Sequence, residues 1–219
     1  MYWLSRRLEF PPVEAAGPEG FLAVGGDLSP ERLLLAYRSG IFPWYDEEQP
    51  IVWYSPDPRF VLYPDQLHVG RRTRSLLNQS PFRITYDTCF PDVIRHCQQM
   101  KRPNQSGTWI TEEMRDAYVR LHRLGHAHSA EVWQAGALVG GVYGIALGSL
   151  FFGESMFSLV SNASKVGFIT LVRRLRDRGC TLVDCQVATP HLARWGATSI
   201  PRTHYLQALR DGLTKENCW

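Results

Sequence analysis

The stretch from Gly148 to Pro190 constrains this chain more than any other part of it. It reads as a strand running into Gly153-Glu154-Ser155-Met156-Phe157-Ser158, a long amphipathic helix, and a second strand ending at Asp184-Cys185-Gln186. Side chains on a strand alternate faces, so Leu182, Asp184 and Gln186 are expected on one face and Val183 and Cys185 on the other. The carboxylate and the carboxamide then lie about 6–7 Å apart, Cα to Cα. The same rule aligns Phe152, Glu154 and Met156 on the preceding strand. If the two strands are neighbours, Glu154, Asp184 and Gln186 line one cleft. Polar groups gathered in that way form a catalytic constellation, not a core.

The rest of the composition narrows the class. At 219 residues the chain can bury a sizeable core as one domain or two small ones. Its 44% hydrophobic and 21% charged residues argue against disorder and against a fibre. A net charge of +3 permits a nucleic-acid partner without demanding one. No segment approaches the ~18 apolar residues that span a bilayer. Arg6 and Arg7 are followed only by the short apolar run Phe21–Val24, so neither a leader nor a membrane partner is expected and the location is expected to be cytoplasmic. Five cysteines, an odd number without CxxC spacing, read as reduced thiols rather than a disulfide framework or a zinc site. His122, His126 and His128 straddle a helix end and the turn at Gly125, so no metal is expected there. Gly25-Gly26-Asp27 lacks the lysine of a phosphate loop and reads as a turn.

Two regions follow from the pattern: a small N-terminal domain over 1–60 and a larger one over 61–219, divided near Pro58–Pro64. In the first, Ser29 caps a helix with Pro30 at its first position and Gly40 as its stop. Phe42–Tyr45 and Trp53–Pro56 read as extended or turn-forming aromatic stretches. In the second, helices are expected near 72–78, 91–99 and 204–213. A short strand is expected at 83–86. Thr111 caps a helix whose Met114, Ala117, Tyr118, Leu121 and Leu124 are expected to form one buried stripe. A meander over 129–134, 138–145 and 149–154 turns at Ala135-Gly136-Ala137 and Leu147-Gly148. Asn162 opens a helix ending at Gly179, in which Gly167 is expected to cost about 1 kcal/mol against Ala. A strand over 181–186 completes an α+β layout, a mixed and mainly antiparallel sheet flanked by helices. That layout resembles an N-acyltransferase core of the GNAT kind. The segment Met156–Val166, which precedes the central helix, contains no glycine to hold a pyrophosphate. Acetyl-CoA is therefore disfavoured as donor, and no cofactor is expected.

GGDLSPERLLLAYRSGIFPW (25–44), WYSPDPR (53–59), GTWI (107–110), LGHAHSAEVW (124–133), GESMFS (153–158), NASK (162–165) and DCQ (184–186) together resemble leucyl/phenylalanyl-tRNA–protein transferases. Seven blocks in order across nearly the whole chain make the resemblance specific. It implies a cytoplasmic, bacterial, monomeric enzyme of the N-degron degradation pathway. Such an enzyme moves leucine or phenylalanine, with methionine a further donor, from aminoacyl-tRNA to proteins beginning with Arg or Lys. Two alternatives stay open: an aminoacyltransferase acting on a cell-wall peptide, and a non-catalytic RNA-binding module. The first usually has a larger chain with two such cores; the second should lack the Asp184, Gln186 and Glu154 set.

The resemblance also implies roles. Transfer from an ester to an amine is limited by orientation, which contributes about 7–11 kcal/mol, and by handling one proton and one developing oxyanion. Asp184 is the candidate to hold the acceptor amine and help remove its proton. Gln186, as an uncharged carboxamide, reads as an orienting acceptor polarised by Asp184, whereas the resemblance gives it a more direct part in proton removal. Glu154 would face the cationic N-terminal residue of the acceptor. The aminoacyl pocket would fall at Val142, Phe151, Met156, Phe168, Leu171, Leu175 and Val183, where Val142 leaves more room than a methionine. Trp44 and Trp109 would meet the terminal adenosine, with stacking contributing about 1–3 kcal/mol per base. Arg71, Arg72, Arg74, Arg173 and Arg174, with Arg176 and Arg178 beyond them, are candidates for tRNA phosphates.

Overall fold

The computed structural model describes residues 2–79, 81–100 and 109–219. Gly107 and Thr108 of the GTWI block lie outside the described residues. The chain begins with β1 (Tyr2–Leu4) and β2 (Phe21–Gly25), followed by α1 (Pro30–Arg38), β3 (Phe42–Pro43) and β4 (Val52–Tyr54). These four strands form one sheet in the order β1-β2-β4-β3. Ser29 Oγ accepts the Arg32 N–H at 3.4 Å, so α1 starts at the cap expected from the sequence.

The remaining elements are β5 (Arg59–Leu62), α2 (Arg71–Asn78), β6 (Arg83–Tyr86), α3 (Phe90–Gln99), α4 (Glu112–Arg123), β7 (Ala127–Gln134), β8 (Ala137–Leu147), β9 (Leu150–Ser158), α5 (Ala163–Asp177), β10 (Leu182–Gln186), α6 (Pro190–Ala193), β11 (Thr198–Ile200) and α7 (Arg202–Leu213). Seven strands form the second sheet, ordered β11-β5-β10-β9-β8-β7-β6. Its neighbours are antiparallel except for β9 and β10, which α5 connects as a parallel pair. The fold is the expected α+β arrangement. Thr111 Oγ1 caps α4 through the Met114 N–H at 3.1 Å.

Two apolar clusters sandwich this sheet. Leu22 and Trp53 of the small sheet share one of them with Tyr143, Ile145, Phe152 and Leu182 of the large sheet. The N-terminal strands therefore pack into one face of the large sheet. The other face carries Val142, Phe151 and Val183, covered by Phe168, Leu171 and Leu175 of α5. Gly167 lets α5 come this close: a Cβ there would stand 2.7 Å from Val132 Cγ2. The helix-propensity cost expected at Gly167 is offset by an approach that no larger residue allows.

One alternation expected from the sequence fails. Tyr143 pairs with Ser155 and Gly144 with Gly153, leaving Glu154 as the extra residue of a β-bulge. Beyond it the faces exchange: Phe152 packs in the first cluster, whereas Met156 packs against the second. Phe152 and Met156 do not share a face. A second expected alternation fails between Asp184 and Gln186: the strand is irregular there and Gln186 has φ 64°, so Gln186 borders the same cavity as Val183 and Cys185, and Leu182 and Asp184 do not. Among the described residues no helix is long and apolar enough to cross a membrane.

Candidate active site

β9 and β10 pair from Leu182↔Leu150 to Asp184↔Phe152, and β9 then runs on to Ser158 without β10 beside it. Where they part, a cavity of about 700 Å3 opens, a size usual for sites that enclose a small organic group. Gly153 to Ser158 form one wall; Trp44, Trp109, Val142, Phe168 and Gln186 stand on others. The two bulges turn Glu154 and Gln186 toward one another at this opening.

Glu154 is half-buried and held by three donors. Tyr37 Oη donates to Oε1 at 2.7 Å, Gln186 Nε2 donates to Oε1 at 3.0 Å, and Tyr118 Oη donates to Oε2 at 3.1 Å. The two phenolic oxygens also contact each other. Burial and the adjacent Glu154 hold both phenols well above their usual value, so they remain protonated. Burial pushes the Glu154 carboxyl up to about 7, with the Asp184 charge adding to the rise and the Tyr37, Tyr118 and Gln186 hydrogen bonds opposing it.

Asp184 sits differently from the expectation. It is fully buried, and its Oδ1 accepts from Arg59 Nε at 2.9 Å and from the Gln186 backbone N–H at 2.9 Å. Oδ2 accepts from Arg59 Nη2 at 2.7 Å and from Tyr205 Oη at 2.8 Å. Four donors fill the four acceptor positions of the carboxylate. No position is left to receive an amine proton, and the group does not border the cavity. It reaches Gln186 through the backbone N–H, while Glu154 accepts from the carboxamide. Arg59 in turn donates to Gly40 O at 3.2 Å and lies over the rings of Phe42 and Tyr205.

Of the expected acyl-pocket residues, Val142, Phe151, Met156, Phe168 and Val183 border the cavity. Leu171 and Leu175 do not; they are buried where α5 packs on the sheet. Trp44 and Trp109 both stand on the cavity wall. Arg71, Arg72 and Arg74 are exposed on α2, and Arg173 is half-buried. Arg174, also expected among the phosphate contacts, lies with its guanidinium 4.3 Å over the Tyr86 ring. Sequence reasoning missed Arg59, Tyr205, Tyr37 and Tyr118. One signal was available: Arg59 opens the apolar run Phe60-Val61-Leu62, and a charge at the head of a buried strand needs a partner. His122 Nδ1 bonds Ala127 O at 2.8 Å and lies 3.9 Å from Asp87 Oδ1, whereas His128 Nδ1 bonds Asp87 Oδ2 at 2.8 Å.

Where β9 and β10 part, a polar pair thus stands beside an apolar cavity. The family model for leucyl/phenylalanyl-tRNA protein transferase matches residues 61–210, and that for its N-terminal domain matches residues 26–57. The chain is 59% identical to the leucyl/phenylalanyl-tRNA–protein transferase of Stutzerimonas stutzeri, covering 97% of this chain and 95% of that one. It is 58% identical to that of Myxococcus xanthus, covering 96% and 91%. Among solved structures, L-PGS from Bacillus licheniformis matches with a TM-score of 0.43 and 12% identity over 77% of this chain and 53% of that one. The chain belongs to the leucyl/phenylalanyl-tRNA protein transferase family. Neither alternative left open by the sequence is favoured by that membership.

Proposed function

We propose that this protein transfers leucine or phenylalanine from aminoacyl-tRNA to the α-amino group of proteins that begin with Arg or Lys, acting as a monomer in the cytoplasm. One observation carries the reading: Glu154 and Gln186 are hydrogen-bonded to each other at the mouth of an apolar cavity of about 700 Å3. The cavity takes the acyl side chain among Val142, Phe151, Met156, Phe168 and Val183. Trp44 and Trp109 take the adenosine, and the exposed arginines of α2 take phosphates farther along the tRNA.

The roles at the split follow from the hydrogen bonds. With Nε2 committed to Glu154, Gln186 offers Oε1 to an N–H of the acceptor amine and holds its lone pair on the ester carbonyl. Glu154 supplies negative charge beside it for the cationic end of the acceptor. A neutral carboxamide is too weak a base to remove the proton outright, so Gln186 orients, and the amine proton ends on the departing ribose oxygen of the tRNA as the ester C–O bond breaks. Asp184, locked by Arg59 and Tyr205, holds the Gln186 backbone in its left-handed conformation and acts as a positioning residue.

The test is to incubate the protein with radiolabelled Leu-tRNA and peptides beginning with Arg, Lys or Ala. Labelling is expected for the first two and not for the third. Equal labelling of all three removes the role given to Glu154, and no labelling of any removes the function.

A further inference from the structure

Behind the cavity, residues 217–219 fold back against the large sheet. The Cys218 N–H donates to Gly148 O at 3.0 Å, Asn217 Nδ2 donates to Ala146 O at 3.4 Å, and Arg178 donates to the carbonyls of Cys218 and Trp219. These bonds deliver the Trp219 indole to a fixed place. Its Nε1–H donates to Asp87 Oδ2 at 2.6 Å, the same oxygen that bonds His128 Nδ1 at 2.8 Å. The indole stacks on the His128 ring, with centroids 4.5 Å apart and planes 21° apart, and takes the Tyr86 ring edge-on at 5.9 Å. The Arg174 guanidinium covers both Tyr86 and Trp219.

The indole is also stacked on Phe151, with centroids 5.9 Å apart and planes 21° apart. Phe151 borders the cavity. On β8, Gly144 makes room for the same ring, since a Cβ at 144 would stand 2.7 Å from Phe151 Cε1 and Cζ. Phe151 is thus confined by a glycine that admits its ring and an indole that backs it.

We propose that Trp219 is a specificity-determining positioning residue: it sets the depth of the acyl cavity by fixing the Phe151 ring, and so tunes the choice between aromatic and aliphatic acyl groups. This rests on the reading that the cavity holds the acyl side chain. The flat face of residue 219, more than its N–H, is what the cavity wall needs.

The experiment compares wild type, Trp219→Phe and Trp219→Leu with Leu-tRNA and Phe-tRNA as donors and an Arg-initiated peptide as acceptor. KM and kcat are measured for each donor, with far-UV circular dichroism and melting to establish folding. Both variants keep bulk at the site, and Trp219→Phe also keeps a planar ring. Trp219→Leu should change the Phe-over-Leu ratio of kcat/KM by about twofold to tenfold, the range of an aromatic pair, through KM and with kcat within about twofold. Trp219→Phe should stay near the wild-type ratio. A Trp219→Leu enzyme with the wild-type ratio overturns the proposal, as does one whose kcat falls equally for both donors. Wild type that transfers neither donor overturns the functional reading and this inference with it. An active wild type with an unmoved ratio in the variant overturns this inference alone.

Discussion

Arg59→Met should be among the most damaging single changes outside the cavity. Asp184 has no exposure, and Arg59 supplies two of the four hydrogen bonds that fill its oxygens. Removing the guanidinium leaves a buried carboxylate with only Tyr205 Oη and the Gln186 N–H. Breaking one side of a buried pair costs about 3–5 kcal/mol, because the other charge is stranded. A chain of this size loses about 2–4 °C of Tm per kcal/mol, so the melting temperature should fall by about 6–20 °C. The Gln186 backbone is anchored through the same carboxylate, so kcat should also fall while donor KM stays within about threefold. The double variant Arg59→Met/Asp184→Leu removes both charges and should recover most of the lost stability, as replaced buried pairs often do. It should not recover kcat. Melting followed by circular dichroism and steady-state transfer kinetics measure both quantities. An Arg59→Met protein destabilised by less than about 1 kcal/mol, or a double variant with wild-type kcat, refutes the reasoning about the stranded charge or the anchor.

Glu154, pushed up to about 7 by burial, gains its charge as pH rises through neutrality, so KM for an Arg-initiated peptide should fall between pH 6 and 8 and Glu154→Gln should flatten that dependence. Because the folded value lies above the unfolded one, the stability linked to this carboxyl is fully present below about 4.5 and is lost as pH rises toward 7; urea melts of wild type and Glu154→Gln should show the difference across that window. Gly167→Ala should destabilise by about 1–3 kcal/mol in urea denaturation, despite the better helix propensity of Ala, because the added methyl meets Val132. Replacing Arg71, Arg72 and Arg74 together by Ala should reduce the salt dependence of Leu-tRNA binding in filter assays, and should leave use of a short aminoacyl-adenosine donor unchanged.

The second half of the chain was legible because its elements are long and strongly patterned. The Thr111 cap, the α4 stripe over Met114, Ala117, Tyr118 and Leu121 and the β7–β9 meander were read within a few residues of their observed limits, whereas Leu124, at the C-cap, is exposed and not part of the buried stripe. β5 and β11 were not. They span four and three residues, stand beside prolines and acquire strand character only by pairing with each other and with β10. The bulge at Glu154 was also hidden, since strict alternation assumes a regular strand, and it carried Met156 to the opposite face. Around the site, the residues at the cavity were legible through motif and strand position, but those that hold them were not. Arg59 reaches Asp184 across 125 positions of chain. Tyr37 and Tyr118 look like members of apolar helix faces until tertiary packing brings their hydroxyls to Glu154.

The most direct measurement is the single-turnover rate of Gln186→Ala, with radiolabelled Leu-tRNA already bound and an Arg-initiated peptide in excess, beside the donor affinity of the same variant. If Gln186 Oε1 orients the amine at the split between β9 and β10, the rate should fall by about a hundredfold or more, in line with the loss of a positioned group in an oriented reaction. Donor affinity should stay within about threefold of wild type, because the acyl cavity and the tryptophans are untouched. A rate within about threefold of wild type would contradict the assignment and place the chemistry elsewhere than at the Glu154–Gln186 pair.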